Sequence, residues 1–259
     1  MNIYEIKNLS FKYDDNNVIF KDVNISIEEG KIYSLLGKNG VGKSTLFSIL
    51  LHVIDDYDGE VKFMGKNIKY YSRKELAKII GFVPQTPKLS FDYSAKEYVR
   101  MGLVSSTNLF SELKKEDGIL VEKAFETLSI KHLMEKSFFD MSGGEKQLVV
   151  IARSIVSNPK IVLFDEPTSH LDISNQYNVL KIIKSLKNRG YTIIISTHDP
   201  NQAALLDEHI IVLDGSGKIS SGETKNIISK KTLKDIYKID MIVENLDKYN
   251  RKICLFENI

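Results

Sequence analysis

The sequence predicts a mixed α/β fold: a core parallel sheet, an antiparallel β layer towards the N-terminus and an inserted helical segment. Three observations carry that expectation. Four short runs, KIYSLLG (31–37), KIVLFD (160–165), TIIIST (192–197) and HIIVLD (209–214), are apolar without alternation, as strands are when both faces of a parallel sheet are covered. The segments EIKNLSFKY, VNISIEEG and GEVKFMGK alternate apolar with polar residues and are split by turn residues at Asp14–Asn17, Glu29-Gly30 and Asp58-Gly59. That is the pattern of an antiparallel sheet. From about Pro87 to Ser137 the strand signal gives way to helical stretches, AKEYVRMGL and EDGILVEKAFETLSIKHLMEK.

With 259 residues the chain has room for one large α/β domain or two small ones. The organisation expected is a domain over 1–230, with a helical subdomain inserted at about 87–158. Residues 231–259 then form a short extension of one helix and a hairpin, IVENL against KICLF, turning near Asp247–Asn250. Lys and Arg number 36 against 34 Asp and Glu, a net charge of +2, which argues against a dedicated nucleic-acid binder. Cys254 is the single cysteine, so an internal disulfide and a paired-cysteine zinc site are excluded. It reads as a small side chain in an apolar strand with Ile253, Leu255 and Phe256. The opening MNIYEIKNLSFKYDDNN mixes charge with polarity, unlike a signal-peptide core. No run approaches the roughly 18 apolar residues of a membrane span. The expectation is a soluble, cytosolic chain whose membrane role, where it has one, comes through a partner.

Gly37-Lys38-Asn39-Gly40-Val41-Gly42-Lys43-Ser44 fits G-x-x-x-x-G-K-[ST], with Thr45 next. It lies directly after the strand KIYSLL and before the helix STLFSILLHVI, where the mechanism needs it. Glycines let successive N–H groups turn towards one anion, and the new helix adds its positive end to the same point. Lys43 would bridge the β- and γ-phosphates and the Ser44 hydroxyl would coordinate Mg²⁺. Strand, loop and helix in this order predict a P-loop NTPase core. Ile161-Val162-Leu163-Phe164 then delivers Asp165 and Glu166 at a strand end, where an α/β sheet places ligand groups. Asp165 can hold Mg²⁺ through water, and Glu166 can polarise a water for attack on the γ-phosphate.

Met141-Ser142-Gly143-Gly144-Glu145-Lys146-Gln147 opens a long helix with apolar residues at 148, 151, 152 and 155. Ser142 and Glu145 spell a capping box, yet two glycines in a first turn are poor helix formers. A bare, glycine-lined helix start is open to a phosphate arriving from elsewhere.

Taken together, the ordered set resembles the ABC (ATP-binding cassette) ATPase family. It comprises the loop at 37–44, Gln85 after the strand IIGFVP, the 141–145 segment, Asp165-Glu166, Ser169-His170-Leu171-Asp172 and His198. The resemblance covers about residues 1–230. Two departures from the family's Leu-Ser-Gly-Gly-Gln are Met141 and Glu145. The resemblance implies a head-to-tail dimer of two copies, with each ATP held between one copy's loop and the other's Ser142, Gly143 and Gly144. Gly37, Asn39, Gly40, Gly42, Lys43, Ser44 and Thr45 would hold the nucleotide, and Tyr13 stands where the family stacks an aromatic on adenine. His198 would contact the γ-phosphate and orient Glu166 and the water, Gln85 would ligate Mg²⁺, and Asp172 would lie on the dimer seam.

Among cassettes, a single copy without a membrane span is similar to importers with separate subunits. Translation-type proteins carry two cassettes per chain, DNA-repair cassettes carry a long coiled-coil insertion, and sugar-importer cassettes carry a larger C-terminal β-domain. The stretches Leu89–Gly102, Glu166–Gln176 and Ser196–Gln202 look like the iron–siderophore, haem and vitamin B12 branch, related to branches for zinc, manganese or molybdate. Val104-Ser105-Ser106 departs from that branch's Gly-Arg-x-Pro. The implied partners are transmembrane permease subunits and, indirectly, an extracytoplasmic substrate-binding protein, with the chain peripheral on the inner face of the cell membrane. Phe91, Tyr93 and Tyr98 are expected to supply apolar contacts to the permease. Alternative readings are a soluble scaffold, as in iron–sulfur cluster assembly, and an exporter ATPase.

Overall fold

The computed structural model describes residues 1–15, 17–85, 91–103, 115–206, 208–249 and 251–257. Leu89, Ser90, the Val104–Ser106 departure, and the Asn16 and Asn250 turn positions lie outside them. The chain divides into two compact units, Met1–Tyr71 with Thr192–Ile259, and Ser72–Tyr191.

The first unit begins with strands β1 (Asn2–Lys12) and β2 (Val18–Glu28), followed by β3 (Ile32–Leu36), helix α1 (Lys43–Leu50), β4 (Asp58–Phe63) and the short β5 (Lys66–Asn67). β2, β1, β4 and β5 form an antiparallel sheet in that order, as the alternation predicts. Its inward residues Tyr4, Ile6, Leu9, Val23, Ile25, Val61 and Phe63 are buried. Tyr4 is enclosed completely and gives its phenolic proton to the Leu50 carbonyl at 2.7 Å. The sheet is thereby tied to the end of α1.

The second unit holds α2 (Arg73–Ile79), β6 (Ile80–Val83), α3 (Ala95–Arg100), α4 (Lys115–Thr127), α5 (Gly143–Ile155), β7 (Ile161–Phe164) and α6 (Ile173–Asn188). β6 and β7 pair in parallel. Capping boxes start α2, α3 and α5, with Ser72, Ser94 and Ser142 each exchanging bonds with a glutamate three residues on. The expected apolar stripe on α5 is too narrow. Val149, Val150, Ile151, Ala152, Ser154 and Ile155 are all buried, while Leu148 is only partly so. Gly102 explains part of this closeness, because a Cβ there would stand 2.3 Å from the Arg153 carbonyl oxygen.

Returning to the first unit, the chain forms β8 (Thr192–Thr197), α7 (Pro200–Leu206), β9 (His209–Leu213), β10 (Ile219–Glu223), α8 (Thr224–Ile227), α9 (Lys230–Tyr237), β11 (Met241–Leu246) and β12 (Arg251–Phe256). β3 lies between β8 and β9, parallel to both, and every residue of β3 and β8 is buried. That is the parallel core expected from the unalternating runs. β10 runs antiparallel to β9, and β11 and β12 form an antiparallel pair. Leu233, Ile236, Met241 and Cys254 join Leu36, Ala203, Ile210 and Val212 in one apolar cluster. Cys254 is buried there, and burial raises its thiol pKa to about 11, so it behaves as an inert small apolar group.

Candidate functional site: a phosphate loop and its companions

The loop between β3 and α1 is shaped by its glycines. Gly42 sits at φ 112, and a Cβ on it would stand 2.5 Å from Ile19 Cγ2. Gly37 is equally constrained, since its Cβ would meet Val41 Cγ1 at 2.7 Å and the Leu213 carbonyl oxygen at 2.8 Å. Lys43 is 5% exposed, and its Nζ donates to the carbonyls of Gly37 (2.8 Å) and Lys38 (3.0 Å) across the mouth of the loop. Gly42 brings no side-chain cap, and no acidic residue lies in the first turn of α1. The positive end of this helix is therefore not neutralised by its own sequence. Ser44 is exposed at that end and Thr45 is buried.

Tyr13 comes to the same place from β1's end. Its hydroxyl lies 3.1 Å from Thr45 Oγ1, and its ring stands edge-on to Phe11 with centroids 4.9 Å apart. At 58% exposure it presents an aromatic face beside the loop. His198, exposed after β8, belongs to this unit too, and the Gly37 N–H donates to the Thr197 carbonyl. Local bonds fix the His198 turn: Asp199 N–H to Thr197 Oγ1 at 3.0 Å and Asn201 N–H to Asp199 Oδ1 at 2.8 Å.

The remaining expected residues belong to the second unit. Asp165 follows β7, and its N–H donates to the Val83 carbonyl at 2.9 Å. Glu166 is 8% exposed and holds φ 44, the left-handed region. A non-glycine residue spends about 1–2 kcal/mol there, a strain that concentrates at functional positions. Ser169 Oγ donates to Glu166 Oε2 at 3.0 Å, fixing the carboxylate's direction. Gln85 is exposed in the bend after β6.

At the start of α5, Ser142 and Gly143 are exposed while Gly144 is buried. The two glycines have different reasons. A Cβ on Gly144 would lie 2.3 Å from Asn175 Oδ1, whereas one on Gly143 would meet nothing nearer than Leu171 Cδ2 at 3.7 Å. Packing therefore demands only Gly144; Gly143 leaves open backbone facing outwards. Asn175 in turn donates to Asp172 through its N–H and its Nδ2, each 2.8 Å, so Asp172 and the 142–144 turn share one intermediary. Sequence reasoning missed Asn175, although a residue three positions after an Asp at a helix start is a capping signal. It also missed Lys136, whose Nζ holds Glu145 at 2.9 and 3.0 Å. With the Ser142 N–H and this ammonium as donors, the Glu145 pKa falls to about 2.

One expectation about the surface is corrected. Tyr98 is 1% exposed: its ring tilts onto Phe138 at 4.8 Å, and the Arg153 guanidinium lies 5.0 Å from its centroid. It is a core residue and offers nothing to a partner. Phe91 is 68% exposed and Tyr93 is partly buried.

A lysine and an uncapped helix start at one glycine loop, with an acid pair at a strand end, define a P-loop nucleoside-triphosphatase. Comparison with known proteins narrows the class. A family model described as ABC transporter matches residues 20–169. The Bacillus subtilis iron(3+)-hydroxamate import ATP-binding protein FhuC is 32% identical over 256 residues, 98% of this chain and 95% of its own. The Haemophilus influenzae molybdate import ATP-binding protein MolC is 34% identical over 237 residues, covering 91% and 88%. An inward-facing structure of a metal-chelate type ABC transporter superposes with a TM-score of 0.88 at 31% identity, covering 99% of this chain and 98% of that one. The chain belongs to the ABC transporter ATP-binding family, whose members are ATPases that bind ATP.

Proposed function

We propose that this chain is the ATP-hydrolysing subunit of an importer for a metal chelate, such as an iron siderophore, haem or cobalamin. The observation that carries the reading is the reach of the similarity. The hydroxamate importer's subunit and the metal-chelate type transporter both align over nearly the whole chain, the segment after residue 230 included. The similarity to the molybdate subunit favours a second reading, import of an oxyanion. No helix among the described residues is long and apolar enough to cross a membrane, so the transport path belongs to permease partners. In this reading the chain works on the inner face of the membrane, beneath them.

The assigned roles follow the family pattern. Lys43, the 37–42 loop and the start of α1 receive the phosphates, and Tyr13 receives the base. Ser142, Gly143 and Gly144 of a second copy close on the γ-phosphate, with Asp172 on the seam. Glu166 takes the proton of the attacking water, and His198 contacts the γ-phosphate. Ser44, Gln85 and Asp165 offer a hydroxyl, an amide oxygen and a carboxylate. This hard-oxygen set suits Mg²⁺ when phosphate oxygens complete its shell. Bound there, Mg²⁺ would neutralise charge developing on the transferring phosphoryl group.

Two variants and one isolation test this reading. Lys43→Ala is expected to abolish ATP binding. Glu166→Gln is expected to bind ATP, accumulate as a dimer and lose turnover; turnover at the wild-type rate would remove Glu166 from its role. Isolation with native partners from gently solubilised membranes is expected to bring a many-span permease, whose ligand then separates chelate from oxyanion. A partner-free chain that still hydrolyses ATP would refute the importer assignment.

A further inference from the structure

The C-terminal extension makes contact with the segment that carries His198. Helix α9 ends at Tyr237 because Lys238 turns left-handed (φ 62) and closes its N–H on the Lys234 carbonyl at 2.9 Å. The phenol placed at that end donates to the main-chain carbonyl of His198 at 2.6 Å. Burial, with Asp199 and Cys254 nearby, holds the Tyr237 pKa above that of an ordinary phenol, so the hydroxyl remains a donor at neutral pH.

A second link lies three residues on. Asn201 Nδ2 donates to the Cys254 carbonyl at 2.9 Å, and Asn201 Oδ1 accepts from the Cys254 N–H at 2.8 Å. The side-chain amide pairs with β12 much as a neighbouring strand would, beside the β11 pairing of Cys254 with Val243. The bonds within the turn itself fix Thr197, Asp199 and Asn201, while the bond from Tyr237 reaches the carbonyl of His198. The orientation of that peptide sets where the exposed imidazole projects.

We propose that Tyr237 is a positioning residue for His198: the C-terminal helix and hairpin hold the main chain from which the imidazole reaches the γ-phosphate. The extension thereby sets the turnover of the cassette. This proposal rests on the reading of His198 as the γ-phosphate contact.

Tyr237→Phe deletes the donor and keeps the ring. Losing one hydrogen bond of this kind is expected to lower kcat by about three- to tenfold. KM for ATP should move by less than about twofold, because the phosphate loop is untouched. Turnover of radiolabelled ATP is measured for the full-length wild type, Tyr237→Phe, His198→Ala and the double variant. The proposal is supported by a loss with Tyr237→Phe that disappears in the His198→Ala background. It is overturned by wild-type kcat in Tyr237→Phe, or by an equal loss in both backgrounds, which is what general loosening of the fold would give. His198→Ala turning over at the wild-type rate overturns the reading of His198 and this proposal together. A slow His198→Ala beside a normal Tyr237→Phe overturns this proposal alone.

Discussion

Gly42→Ala tests whether the phosphate loop's shape is fixed by backbone conformation alone or by packing as well. An alanine at φ 112 pays about 1–2 kcal/mol for leaving the regions open to L-residues. Its Cβ would also lie 2.5 Å from Ile19 Cγ2 and 3.5 Å from the Phe20 ring. Ile19 is β-branched and stiff at χ1, and Phe20 is buried, so neither can swing aside freely. Overpacking of this kind adds about 1–3 kcal/mol. Gly40 supplies the control, because it also has positive φ (77) but nothing within 4 Å of its Cβ position. Calorimetry without nucleotide is the assay, since bound ATP would add its own stabilisation. At roughly 2–4 °C per kcal/mol for a chain of this size, Gly40→Ala should melt about 2–8 °C low and Gly42→Ala about 2–12 °C lower still. In an Ile19→Ala background the cost of Gly42→Ala should fall by about 2 kcal/mol as the overlap disappears. If the Gly40 and Gly42 variants melt within about 2 °C of each other, the packing part of the argument is wrong.

Two further predictions concern the second unit. Glu145 has its pKa depressed to about 2 by the Ser142 N–H and the Lys136 ammonium, so its stabilisation is complete above the unfolded carboxylate value near 4.3. It declines as pH falls from there towards 2; the stability advantage of wild type over Glu145→Gln should therefore be flat above about pH 5 and shrink below it, and an advantage that grows on acidification would refute the assignment. Tyr98→Ala should cost about 3–5 kcal/mol in chemical denaturation, against about 0.5 kcal/mol or less for Phe91→Ala; similar losses would contradict their different burial.

The parts of the site that sequence made legible are those written in consecutive residues. The 37–44 loop, the strand that ends in Asp165-Glu166 and the Ser142–Glu145 box each declare themselves within a few positions, because covalent neighbours build each feature. Where an element depends on a distant partner, the local pattern is silent. β10, ISSGE, has no apolar alternation and exists because β9 offers it an edge. From sequence alone Tyr98 reads as a surface aromatic because its helix has six residues, too short for a face to show. The burial comes from Phe138 and Arg153, roughly 40 and 55 positions away. The Asn175 side chain against Gly144 is likewise set by a tertiary contact that no spacing rule encodes.

The same distinction separates the two helix starts assigned to phosphate. At α1 the glycine brings no side-chain cap and the first turn carries no acidic residue, so in the proposed role an incoming phosphate would meet no carboxylate from the helix's own first turn. At α5 the end is already occupied: Ser142 Oγ accepts the Glu145 N–H, and the Glu145 carboxylate accepts the Ser142 N–H. A carboxylate there opposes a second anion, where a glutamine would not. Lys136, bridging both Glu145 oxygens, cancels that charge locally, which is how a glutamate can stand where the family has a neutral amide. The departure at 145 is thus intelligible only as a pair with 136, nine residues upstream. The exposed Gly143 backbone between them keeps the way open for the γ-phosphate that the proposed dimer would bring.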